Sequence, residues 1–170
     1  MRIRFPWILF GLALVVHGMA ARAQNSNFSL TGKITASTCD WDGDALTDVA
    51  LPAVDVSKLR QGQAVGLVPF SLSLTRCDTD LKQVTFTITG NPDPLDSQRY
   101  RNAGSAAGVA FELQSRDGAT VTADGSHSQR SVPVNSGAAR LDLQVGYWQV
   151  APGATPGSVE SMAVVNLSYN

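Results

Sequence analysis

Residues 157–170 read GSVESMAVVNLSYN. Side chains alternate along an extended strand, so Ala163, Val165, Leu167 and Tyr169 fall on one face and Val164, Asn166 and Ser168 on the other. The apolar face runs to the penultimate residue. A strand that ends on such a face has two outlets. It pairs inside its own sheet, or it offers its edge to another chain.

The opposite end of the chain carries a second period-2 segment. From Gln24 the sequence reads QNSNFSLTGKITASTC, with Phe28, Leu30, Gly32 and Ile34 alternating against Ser29, Thr31, Lys33 and Thr35. A glycine on the apolar face of a strand marks close approach of another backbone. A first strand with a bulge at Gly32 is the other reading.

The residues before it, MRIRFPWILFGLALVVHGMAARA, have a basic start at Arg2 and Arg4, an apolar run from Ile8 to Val16, and small residues at Ala21 and Ala23. This pattern predicts a secretory signal peptide over 1–23, cleaved before Gln24, with cleavage after Ala21 as the alternative. The apolar run is shorter than the ~20 residues that span a bilayer. The exported chain is then about 147 residues of the 170, one domain by length. Loss of Arg2, Arg4 and Arg22 lowers Lys+Arg from 13 to 10 against 14 acids, a net charge of −4. An acidic chain is a poor partner for nucleic acid or anionic lipid. No second hydrophobic stretch is long enough to span, so no membrane insertion is expected after cleavage.

Between the termini the sequence reads as short strands. Leu67–Cys77 is the clearest, with Val68, Phe70, Leu72 and Leu74 inward. Val84, Phe86 and Ile88 repeat the pattern, then Val109, Phe111 and Leu113, then Leu141, Leu143, Val145 and Tyr147. Shorter pieces are expected at Val121–Ala123 and Val132–Val134. A weak edge strand is expected over Val49–Leu59, interrupted by Pro52. Asp40–Asp48 reads as a solvated acidic loop, and the run from Gly90 to Gly108, with Tyr100 and Arg101, as a long surface connection. Glu112 and Asp142 fall on outward faces, where they would keep the surface soluble. No stretch has sustained helical periodicity. The pattern predicts an all-β sandwich of two antiparallel sheets with wet outer faces. Cys39 and Cys77 are an even pair in an exported chain and read as one disulfide. Closing a loop of that length contributes ~4 kcal/mol in the chain-entropy model.

Catalytic chemistry is not legible. The exported chain has one histidine, His127, in a turn-like run, which excludes a metal cage of several imidazoles. No serine sits in a glycine-flanked elbow, and no glycine-rich phosphate cradle appears. No catalytic residue, metal ligand or cofactor is assigned. Trp41, Tyr100, Tyr147 and Trp148 are the candidates for a sugar-stacking face. They define the alternative function, a soluble periplasmic or secreted β-sandwich carbohydrate-binding module.

Taken together, these residues resemble a subunit of chaperone–usher fimbriae, the type 1 pilin family. Four features carry the resemblance: the extension FSLTGKIT behind a signal peptide; Cys39 just after it and Cys77 closing the next long strand; Gly157 fourteenth from the end with a penultimate Tyr169; and Tyr147-Trp148 followed by PGATPG. The resemblance implies an incomplete immunoglobulin-like sandwich lacking its final strand. A periplasmic chaperone would lend that strand. At an outer-membrane usher the extension of the next subunit would replace it. It implies a donor extension over 24–36, with Phe28, Leu30, Gly32 and Ile34 as donor residues, and a pilin domain over 37–170. It implies an acceptor strand carrying Gly157, Val159, Ala163, Val165, Leu167 and Tyr169. Burying Phe28, Leu30 and Ile34 would be worth roughly 1.5–3 kcal/mol each before ordering costs. The contact is head-to-tail and builds a fibre. An extension joined to one domain implies a shaft or adaptor subunit of a surface fimbria that supports cell adhesion, exported through the periplasm.

Overall fold

The computed structural model describes residues 38–42 and 48–170. The expected signal peptide and the donor extension, with Phe28, Leu30, Gly32 and Ile34, lie outside the described residues. In chain order the strands are β1 (Asp40–Trp41), β2 (Ala64–Thr75), β3 (Gln83–Gly90), β4 (Tyr100–Arg101), β5 (Val109–Ser115), β6 (Gln129–Pro133), β7 (Ala139–Gln149) and β8 (Ala163–Tyr169). One sheet has the order β1-β2-β7-β5-β4 and the other β6-β3-β8. Every strand pair is antiparallel.

The period-2 pattern sets which side chains enter the core. Leu72 and Leu74 of β2, Val84, Phe86 and Ile88 of β3, and Leu141 and Leu143 of β7 are buried between the sheets. Their Ser and Thr neighbours face outward, as with Thr85, whose hydroxyl lies 2.7 Å from that of Ser131 across β3 and β6. The β2–β7 register slips between Val65 and Val68, where Gly66 has φ +67°. A bulge of this kind admits one extra residue, so Val65 and Val68 both meet inward residues of β7, Tyr147 and Val145. Cys39 and Cys77 are joined in a disulfide that ties the start of β1 to the end of β2.

Four expectations are corrected. Val49–Leu59 is not an edge strand. Pro52 supplies no ladder donor, and Asp55 instead caps a 3-10 turn over Val56–Lys58 by accepting from the Ser57 amide at 2.8 Å. The Gly90–Gly108 connection is not all surface. Tyr100 pairs with Phe111 on β4, is 3% exposed, and sends its hydroxyl to the Ile88 carbonyl at 3.4 Å. Burial raises its phenol well above the ordinary range. Val121 and Ala123 are buried but lie in no strand, with the Val121 amide donating to the Leu113 carbonyl at 2.8 Å. Glu112 does sit on the face of β5 away from the core, yet it is 1% exposed because Arg99 covers it.

Candidate functional site

β8 is hydrogen-bonded on one side only among the described residues. It is the outermost strand of its sheet, paired with β3 from Val84↔Tyr169 to Gly90↔Ala163. Just beyond, Gln83 and Asn170 exchange both backbone bonds, each at 3.0 Å. An antiparallel ladder alternates bonded and non-bonded pairs, so Ser168, Asn166 and Val164 bond to β3 in turn. The N–H and C=O groups of Val165, Leu167 and Tyr169 therefore point to the open side.

The same three residues face the core with their side chains and remain only half-buried. Across the sandwich, Phe70 and Val145 are inward-facing and half-buried too. β1 covers only the Leu74–Thr75 end of β2, which leaves the rest of that edge without a strand partner among the described residues. Trp41, on β1, packs edge-on against Phe86 with ring centroids 6.5 Å apart. Partly covered apolar side chains beside a free ladder are what a sandwich short of one strand presents. Each fully buried aliphatic side chain contributes about 1.5–3 kcal/mol, and these realise only part of that.

Ahead of β8 the chain borders a cleft of about 260 Å³. Val54, Val56 and Leu59 line it from the capped turn, Val109 and Tyr147 from the five-stranded sheet, and Thr155 to Gly157 with Val159 from the approach to β8. Among the described residues that line it Asp55 is the only charged one, and bonds from the Ser57 hydroxyl and amide hold that carboxyl below the ordinary range. The Tyr147 hydroxyl donates to the Pro52 carbonyl at 3.0 Å, which anchors the capped turn to β7.

Of the acceptor residues read from sequence, Val165, Leu167 and Tyr169 lie together on the core face of β8. Ala163 begins the strand and is exposed. Gly157 and Val159 precede it, at the cleft. Sequence reasoning missed Val54 and Leu59, and the segment 102–106 that bonds to residues 158–160. None lies in a periodic stretch; their only local signal is Asp55 two residues before Ser57, an Asx-type cap. The four aromatics offer no shared stacking face. Trp41 packs on Phe86, Tyr100 and Tyr147 are buried, and Trp148 lies over the Arg99 guanidinium at 3.9 Å.

Residues 28–170 match the family model described as fimbrial protein. The chain is 28% identical to Fimbrial protein 987P of Escherichia coli, over 89% of this chain and 87% of that one. It is 30% identical to the S-fimbrial adhesin protein SfaS of Escherichia coli O6:K15:H31 (strain 536 / UPEC), over 88% of each. Among solved structures, the P pilus rod subunit PapA superposes with a TM-score of 0.66 at 21% identity, covering 78% of this chain and 99% of that one. The sandwich is thus immunoglobulin-like, of the pilin type.

Proposed function

The chain belongs to the fimbrial protein family, and we propose that it polymerises by taking a strand from a neighbour onto the open edge of β8. It is a structural subunit of a surface fimbria, not an enzyme, and its partners include other pilin subunits. The single observation that supports the strand-acceptor reading is the state of Val165, Leu167 and Tyr169. Their backbone groups face open space while their side chains lie half-covered on the core.

Strand addition draws affinity from main-chain bonds and register from alternate side chains. Phe28, Leu30 and Ile34 of the 24–36 extension supply such alternation, and Gly32 the position where the groove is shallowest. Gly157, Val159 and Ala163 lead the acceptor strand in. A periplasmic chaperone holds the open edge first, and the exchange to a subunit's extension takes place at an outer-membrane usher. The extension suits a shaft or adaptor position, since such a subunit both accepts and donates.

The test removes residues 24–36 and returns them as a peptide. The shortened subunit is expected to be unstable alone and to gain stability in proportion to the logarithm of added peptide, as any ligand of the folded state requires. A shortened subunit of full stability, indifferent to the peptide, would overturn the reading.

A further inference from the structure

The approach to β8 is buckled to a loop distant in sequence. The amides of Ala106 and Ala103 donate to the Ser158 and Glu160 carbonyls at 3.0 and 2.7 Å. Asn102 is the centre of the buckle. Its Oδ1 accepts from the amides of Gly104 and Glu160, each at 2.8 Å, and its Nδ2 donates to the Ala106 carbonyl at 2.9 Å. Ser105 and Ser158 add a reciprocal pair: the Ser158 amide donates to Ser105 Oγ at 2.9 Å, and the Ser105 amide to Ser158 Oγ at 3.1 Å.

Two glycines allow this approach. A β-carbon on Gly104 would fall 2.2 Å from the Ser158 carbonyl oxygen, and one on Gly157 would fall 2.4 Å from the Ala106 nitrogen. Neither glycine has positive φ, so space and not backbone conformation is the requirement. Ala106, Gly157 and Val159 also line the cleft beside β8. The buckle and one side of the cleft are therefore the same stretch of chain.

We propose that Asn102, with the Ser105–Ser158 pair, is a positioning element that holds the cleft in its receiving shape and so governs how fast a donor strand engages. This rests on the strand-acceptor reading of β8. A site held open before its ligand arrives spares the ordering cost at the moment of binding. The bonds lie between half-buried and exposed groups, so each adds little to the stability of the sandwich. Loss of two or three would slow engagement without unfolding the sandwich.

The experiment measures uptake of a fluorescent peptide of residues 24–36 by the purified exported subunit, from the rise in anisotropy. Hydrogen exchange at Ala103 and Glu160 is followed in parallel. Asn102→Ala should slow association about tenfold and deprotect both amides, with the melting temperature of the peptide-bound form little changed. Asn102→Asp keeps both accepted bonds and should recover most of the rate. Ser105→Ala, a milder lesion, should slow association about threefold. Deprotected amides with an unchanged rate in Asn102→Ala, or in Ser105→Ala should the first variant not fold, would overturn the proposal. Failure of freshly refolded, monomeric unmodified subunit to take up the peptide at all would overturn the strand-acceptor reading itself, and the role of the buckle with it.

Discussion

The Arg99 guanidinium lies 2.7 Å from the Glu112 carboxylate on the face of the five-stranded sheet away from the core, with side-chain exposures of 8% and 1%. The contact is an ion pair and not a linear hydrogen bond, and Arg99 Nη1 has no hydrogen-bond partner among the described residues. The second Glu112 oxygen accepts from the Thr120 hydroxyl at 2.6 Å and the Gln114 amide at 3.1 Å. Trp148 closes the top, its ring 3.9 Å from the guanidinium carbon. The pair fastens the connection before β4 onto β5 and β7.

Removing one partner leaves a buried charge uncompensated, which costs about 3–5 kcal/mol, whereas replacing both by apolar residues of similar volume is often near neutral. Glu112→Ala should therefore destabilise the donor-bound subunit by about that amount. Arg99→Met with Glu112→Leu should cost much less. Urea denaturation of the donor-bound subunit distinguishes them, and equal losses would deny that burial of the lone charge is the cause.

Gly157 makes a second, separable prediction. It is exposed, so Ala would normally be harmless there, but a β-carbon would strike the Ser105–Ala106 backbone. Overpacking of this order costs about 1–3 kcal/mol. Gly157→Ala should lower the melting temperature, while Gly153→Ala, where a β-carbon meets nothing within 4 Å among the described residues, should show only the φ +73° penalty of its turn. A smaller effect at Gly157 than at Gly153 would contradict the close-approach account.

Acid should loosen the Asp124 turn and the Ser71–Asp142 contact between β2 and β7 over the same pH range. The Asp124 carboxyl is held well below the ordinary range by the Ser126 amide, the Ser126 hydroxyl and then the Ser97 hydroxyl. Asp142 is lowered by the Ser71 hydroxyl first and Arg140 next. A depressed folded-state pKa contributes stability above the unfolded value of ~3.9, and that contribution is lost as pH falls below it. Stability should therefore be flat above about pH 5 and fall below ~4. Asp124→Asn should be less stable than the parent near neutrality and should show a shallower acid limb. An unchanged limb would assign the acid loss elsewhere.

The strands that frame the edge were legible because period 2 is a local signal. Leu72, Phe86, Leu143 and Leu167 declare their faces by their neighbours. Glu112 obeys the same parity and so reads as solvent-facing, since its cover comes from Arg99 in a connection with no periodicity. Tyr100 gives no strand signal for the same reason: two residues make a strand only when Phe111 is already beside them. Gly157 stood out by position, but its physical reason lies in Ser105 and Ala106, some fifty residues earlier. The cleft side chains Val54 and Leu59 belong to a stretch whose strand-like composition is overridden by the Asp55 cap. Contacts of this kind are tertiary and leave no trace in local sequence.

On the proposed function, the open side of β8 receives a strand. The most direct measurement is amide hydrogen exchange at Val165, Leu167 and Tyr169 in the subunit lacking residues 24–36, without and with a saturating peptide of those residues. These three amides should exchange fast without peptide and become protected at least about 100-fold with it, as ladder bonds do when they open only with wider unfolding. Val164, Asn166 and Ser168, already bonded to β3, should change less. Protection that is the same with and without peptide, or that appears on Val164, Asn166 and Ser168 instead, would contradict it.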